Sequence, residues 1–76
     1  MIEPTYSIQT LFEQLGLPHE PEEIEVFIRT HRIDDQTRIY DAPFWSSQQA
    51  AFLQEGLAAD ADWAEVIDEL NARLRD

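Results

Sequence analysis

His31, Asp34, Asp35 and Asp41 place one imidazole and three carboxylates within one short stretch of the chain. Oxygen ligands with a nitrogen beside them are what a divalent cation accepts, so this stretch is the first place to look for metal chemistry. The spacing matches no known metal loop, and simpler physics accounts for each residue. A histidine at the end of a helix meets the negative end of the dipole, and aspartates shape and solvate turns. Asp60, Asp62 and Glu65 superficially resemble a calcium loop, but its sixth position lacks the turn glycine and its twelfth is Asn71 rather than a bidentate acid. Helix capping explains all three. Ser46 and Ser47, with His31 and the nearby aspartates, supply the residue types of a nucleophile set without a strand-to-helix elbow or an oxyanion-hole glycine. Ser46 followed three residues later by Gln49 is a capping box instead. Paired acids for glycoside chemistry would need a cleft that so short a chain hardly encloses. No catalytic residue, metal or other cofactor is therefore expected, and the chain reads as a non-enzyme. The alternative is a small metal-dependent or hydrolytic enzyme using the 31–41 region.

The elements that hold these residues are helices. Ile8, Leu11, Phe12 and Leu15 recur at helical spacing after a cap at Thr5 or Ser7, which predicts a helix near 7–15. Gly16-Leu17-Pro18 stops it: the glycine suits the left-handed position after a helix, Leu17 can fold back onto Phe12, and Pro18 prevents continuation. Pro21 opens a second helix, near 21–32, with Glu22, Glu23 and Glu25 at the positive end of its dipole and Arg29, His31 and Arg32 at the negative end. Its apolar stripe is Ile24, Phe27 and Ile28, and Glu25 to Arg29 is a favourable i,i+4 pair. A third helix is expected near 47–58, behind the Asp41-Ala42-Pro43-Phe44-Trp45 turn and the Ser46 cap. The fourth, near 63–75, starts from a capping box of Asp62 and Glu65. It carries Trp63, Val66, Ile67, Leu70 and Leu74 on one face and pairs Glu69 with Arg73. A short corner at Asp60 separates two antiparallel helices, because a continuous helix would put Asp60 into the apolar stripe. The fold expected is all-α, a single helical domain over 1–76, as a bundle of about four short helices with one long ordered loop between the second and third.

That loop, Ile33 to Trp45, is long for a helix connection, and Arg38-Ile39-Tyr40 within it suggests a brief extended piece. Phe44, Trp45 and Trp63 are large enough to be binding hot spots, but in so small a protein they read first as core-filling side chains. Gly56 lies inside a helix at a cost of about 1 kcal/mol relative to alanine, so it points to the close approach of another backbone. That backbone belongs to the first helix, the fourth helix or a second copy, and the last choice makes a homodimer the corresponding oligomer.

The 76 residues hold 16 acids against 5 bases, all of them arginine, for a formal net charge of -11. Nucleic acid and anionic membrane surfaces bind through cationic side chains, so both are excluded as direct partners. With 43% hydrophobic residues the chain escapes the disordered class despite its charge. It has no cysteine, which removes disulfides, thiolate metal sites and cysteine nucleophiles. Met1 to Gly16 has neither Lys nor Arg nor a continuous apolar run, which argues against a signal or transit peptide and makes the cytoplasm the default. The function expected is protein interaction or regulation, through an unknown protein partner bearing a basic patch. The candidate surface is Asp34, Asp35, Arg38, Tyr40, Asp41 and Phe44, which combines acidic charge with an apolar centre.

The motifs Leu11-Phe12-Glu13-Gln14-Leu15-Gly16-Leu17-Pro18, Asp41-Ala42-Pro43-Phe44-Trp45 and Asp60-Ala61-Asp62-Trp63-Ala64-Glu65-Val66-Ile67-Asp68-Glu69-Leu70 are specific as a combination. With them the chain resembles domain-of-unknown-function family 2789, a family of short proteobacterial proteins, over its whole length. The resemblance implies a bacterial cytosolic protein. It brings no activity, substrate or catalytic residue.

Overall fold

In the computed structural model, residues 6–75 are described, and they form four α-helices and one 3-10 turn. Helix α1 spans Ile8–Gln14, α2 Pro21–Thr30, α3 Ser47–Ala59 and α4 Ala61–Arg75, with the 3-10 turn at Ile39–Asp41. The all-α expectation holds, and among the described residues there is no strand.

Each helix end follows from local chemistry. Ser7 caps α1: its hydroxyl accepts from the Thr10 backbone N–H at 3.2 Å while the Thr10 hydroxyl accepts from the Ser7 N–H at 2.8 Å. The alternative cap, Thr5, lies outside the described residues. Gly16 adopts φ +73, Leu17 N–H returns to the Phe12 carbonyl at 2.9 Å, and Gly16 N–H reaches the Glu13 carbonyl at 3.1 Å. These are the two bonds of a Schellman ending, which needs a left-handed residue at that position.

Helix α2 ends at Thr30, two residues before the expected boundary. The Thr30 hydroxyl donates to the Val26 carbonyl at 2.8 Å, and His31 Nδ1 lies 2.9 Å from the Phe27 carbonyl. Side chains thereby take over the last carbonyls of the helix, and His31 leaves the helical region at φ -127. Among the described residues the expected Glu25 to Arg29 ion pair is not formed, whereas Glu69 and Arg73 do pair, at 3.3 Å.

Helix α4 starts at Ala61, ahead of the expected 63, because Asp60 rather than Asp62 is its cap. The Asp60 carboxylate accepts from the N–H groups of Asp62 and Trp63 at 3.1 and 3.3 Å. Asp60 also ends α3, with its own N–H on the Gly56 carbonyl at 3.2 Å. One extended residue, at φ -132 and ψ 102, thus serves both helices and forms the expected corner. Past it the two helices fold back together, with the Phe52 and Trp63 rings 5.7 Å apart.

The core is centred on Leu11, Phe12, Leu53, Ile67, Leu70 and Leu74, all fully buried, and the loop contributes Ile33, Ile39, Ala42 and Trp45. Trp45 is therefore a core residue as expected, while Phe44 and Trp63 are only half-buried against it. Gly56 is buried, and the close approach comes from side chains of α4. A Cβ built there would stand 2.7 Å from Ile67 Cδ1 and 3.4 Å from Trp63 Cβ. The reading of Gly56 as a backbone crossing is corrected accordingly, and the glycine gives no support to self-association.

Candidate functional site

The loop from Ile33 to Trp45 is built from the inside out. Ile33 and Ile39 are buried, and Ile33 N–H donates to the Leu74 carbonyl at 3.0 Å. Of Arg38-Ile39-Tyr40 only Arg38 is extended: Ile39–Asp41 winds into the 3-10 turn, closed by Asp41 N–H on the Arg38 carbonyl at 2.9 Å. The driving contact is the Trp45 indole N–H, which donates to the Ile39 carbonyl at 2.7 Å in a buried setting and so curls the chain back. β-branched composition alone suggested the opposite.

Asp34 makes a turn. Its Oδ1 accepts from the Thr37 hydroxyl at 2.7 Å and from the Gln36 backbone N–H at 2.9 Å. The Thr37 hydroxyl, followed by the Gln36 N–H, holds the carboxyl below its ordinary value, and the Arg75 guanidinium adds a smaller pull. Arg75 itself reaches from the last turn of α4 to the carbonyls of Asp34 and Thr37, and its Nε donates to Asn71 at 2.9 Å. Asp35 and Asp41 stay exposed, Arg38 donates to the Tyr40 hydroxyl at 3.2 Å, and Tyr40 is half-buried.

Phe44 faces another neighbourhood. Its ring lies 4.9 Å from that of His31 and 5.8 Å from that of Phe27, within an aromatic cluster that also holds Trp45 and Phe12. His31 stacks on Phe27 at 3.9 Å with a 10° interplanar angle. His31 Nδ1 lies 2.9 Å from the Phe27 carbonyl and 3.0 Å from the Thr30 hydroxyl, and it donates to the carbonyl in the Nδ1-protonated tautomer. Among the described residues no three His, Asp or Glu side chains converge, so the structure does not gather His31, Asp34, Asp35 and Asp41 into a ligand set. Ser46 is engaged in its capping box with Gln49, at 3.1 and 2.9 Å. Gln49 also donates through Nε2 to the Leu15 carbonyl at 2.8 Å, tying the end of α1 to the start of α3.

Beside the aromatic cluster the outer flank of α2 carries a shallow groove of about 420 Å³, lined by Pro18, Glu22, Glu23, Val26, Phe27, Thr30 and His31. Val26 is 50% exposed there. Sequence reasoning missed this residue, because the stripe of Ile24, Phe27 and Ile28 was sufficient to orient the helix. The available signal was a β-branched apolar side chain placed off that stripe. A separate depression on the opposite flank is lined by Glu25, Ile28, Arg29, Arg32 and Arg73. Among the described residues no helix is long and apolar enough to cross a membrane.

Comparison with known proteins agrees with this architecture. A solution NMR structure of protein CV0237 from Chromobacterium violaceum, a structural genomics target, is similar over 93% of this chain and 90% of its own, with 41% identity and a TM-score of 0.83. No curated protein matches the chain. The family model for proteins of unknown function DUF2789 matches residues 1–74, nearly the whole length. The chain belongs to the DUF2789 family.

Proposed function

We propose that the chain is a non-enzymatic, cytoplasmic docking module that binds another protein along the edge where the Ile33 to Trp45 loop meets α2. The observation that carries this reading is Val26, an apolar side chain left half-exposed beside the half-buried Phe27 in a groove that none of the described residues fills. An apolar side chain exposed in a groove and rimmed by polar residues can seat an apolar anchor of a partner. Phe44 continues the surface from the loop through its edge contact with His31, and Asp35 and Asp41 of the same loop are exposed. Several of the groups that could have served chemistry are engaged in structure: Ser46 and Asp60 cap helices, Asp34 closes a turn, and His31 contacts the Phe27 carbonyl.

The test is affinity capture from a lysate of the native host with three immobilised forms: the parent, Val26→Asp, and the double variant Asp34→Asn with Asp35→Asn. The reading expects a partner retained by the parent and lost from Val26→Asp, with the loop variant weakened if the acidic loop contributes. Identical captured sets from all three forms overturn it.

A further inference from the structure

We propose, resting on that docking reading, that the α2 groove receives a basic amphipathic helix of the partner, with an aliphatic anchor seated on Val26 and Phe27 and Arg or Lys side chains beside Glu22 and Glu23. The chemistry of the occupant follows from how charge is sorted on α2. On the groove flank the fixed charges are Glu22 and Glu23, and neither has an ion-pair partner among the described residues. Arg29 of α2 and Arg32, just past its end, line the opposite depression. An apolar floor with unpaired carboxylates on its rim is complementary to an apolar stripe flanked by cations, and buried or rim Arg contacts to carboxylate gain from bidentate geometry.

The shape of the occupant follows from the backbone. The groove wall is a helix rather than a strand, so it offers no sheet edge for an added strand, and binding has to come from side-chain packing. From Glu22 to His31 the flank runs about 14 Å at 1.5 Å per residue, which matches two to three turns of a partner helix. A second copy of this chain is a poor occupant. The groove flank of α2 carries Glu22 and Glu23 and no arginine, so a second copy meeting it through the same flank brings no Arg to these carboxylates, on a chain of net charge -11.

The test is a titration of the isotope-labelled full chain, followed by amide chemical shifts, with a synthetic helix-forming peptide of about three turns. The peptide carries Leu at i, i+4 and i+7 with Arg on both flanks. The controls are a scrambled peptide of the same composition and one with every Arg replaced by Glu. The expected result is saturable shifts at Val26, Phe27, Thr30 and His31, at least tenfold weaker binding by Val26→Asp, and weaker binding by Glu22→Gln with Glu23→Gln and in added salt. Val26 and both glutamates are exposed, so these variants keep the fold, which circular dichroism verifies. Equal binding of the scrambled peptide, shifts confined to 34–41, or no saturable shift overturns the proposal. So does concentration-dependent self-association that Val26→Asp removes. If the native partner is lost from Val26→Asp in lysate capture while the peptide fails to bind, docking at the groove stands and the basic-helix occupant is refuted.

Discussion

Replacing Gly56 by alanine sets two effects of known sign against each other. Alanine gains about 0.8 to 1.0 kcal/mol of helix propensity over glycine in the interior of α3. Its methyl, however, would stand 2.7 Å from Ile67 Cδ1 and 3.4 Å from Trp63 Cβ. The second distance is ordinary contact, but the first has to open by nearly 1 Å to reach the usual separation of about 3.5 Å between carbons. Ile67 is fully buried, so its terminal methyl cannot swing into solvent, and either its rotamer is strained or α3 and α4 move apart. Overpacking of this kind costs about 1 to 3 kcal/mol, which leaves a net loss of about 1 kcal/mol. For so small a domain that lowers the melting temperature by about 4 to 8 °C. The decisive assay is a double-mutant cycle by denaturant unfolding with Ile67→Val, which deletes the clashing carbon. That change alone costs about 0.5 to 1.5 kcal/mol. In its presence Gly56→Ala should turn neutral or stabilising, giving a coupling of about 1 kcal/mol. A single Gly56→Ala variant that melts above the parent, or a cycle with no coupling between positions 56 and 67, refutes the packing argument.

Ser46→Ala should lower stability by about 0.5 to 2 kcal/mol as the loss of an N-cap, and Gln49→Ala by at least as much, since Gln49 also serves the Leu15 carbonyl; chemical denaturation checks the order. Arg75→Met keeps the aliphatic stem but abandons the carbonyls of Asp34 and Thr37, so amide exchange over 34–37 should quicken while α1 stays protected. Asp34 has a carboxyl pKa lowered from 3.8 by folding, so its contribution to stability is present above that value and lost as pH falls through the lower folded-state one. The stability difference between the parent and Asp34→Ala should therefore be full near neutrality and shrink below about pH 4; a difference independent of pH would refute the charge-assisted turn.

Much of the fold is legible in the sequence because its punctuation is local. Ser46 with Gln49 and Gly16 with Leu17 each decide a helix end within a few residues, and the structure uses both as the residues suggest. The failures occur where two local solutions compete. Asp60 and Asp62 are both competent caps, and Asp60 prevails because one extended residue there ends α3 and starts α4 together. At the end of α2 the side chains of Thr30 and His31 outcompete continued backbone bonding, which charge patterning does not register. Other features depend on distant partners: the 3-10 turn needs the Trp45 indole, and Gly56 needs Ile67. The candidate loop residues were identifiable by type, but their division was not. Asp34 faces a turn while Phe44 joins the aromatic cluster of α2, because tertiary packing assigns them to different neighbours.

The last turn of a helix ordinarily opens first, since its carbonyls lack partners along the chain. In α4 that turn holds something else: the Leu74 carbonyl receives Ile33 N–H, and Arg75 spans the carbonyls of Asp34 and Thr37. Fraying of α4 and release of residues 33–37 are therefore coupled, and the last turn of the helix acts as a latch. The lifetime of the closed loop is then set by the unwinding of a helix end about forty residues away in sequence, so that solvent conditions acting on α4 alone change how often residues 33–37 open.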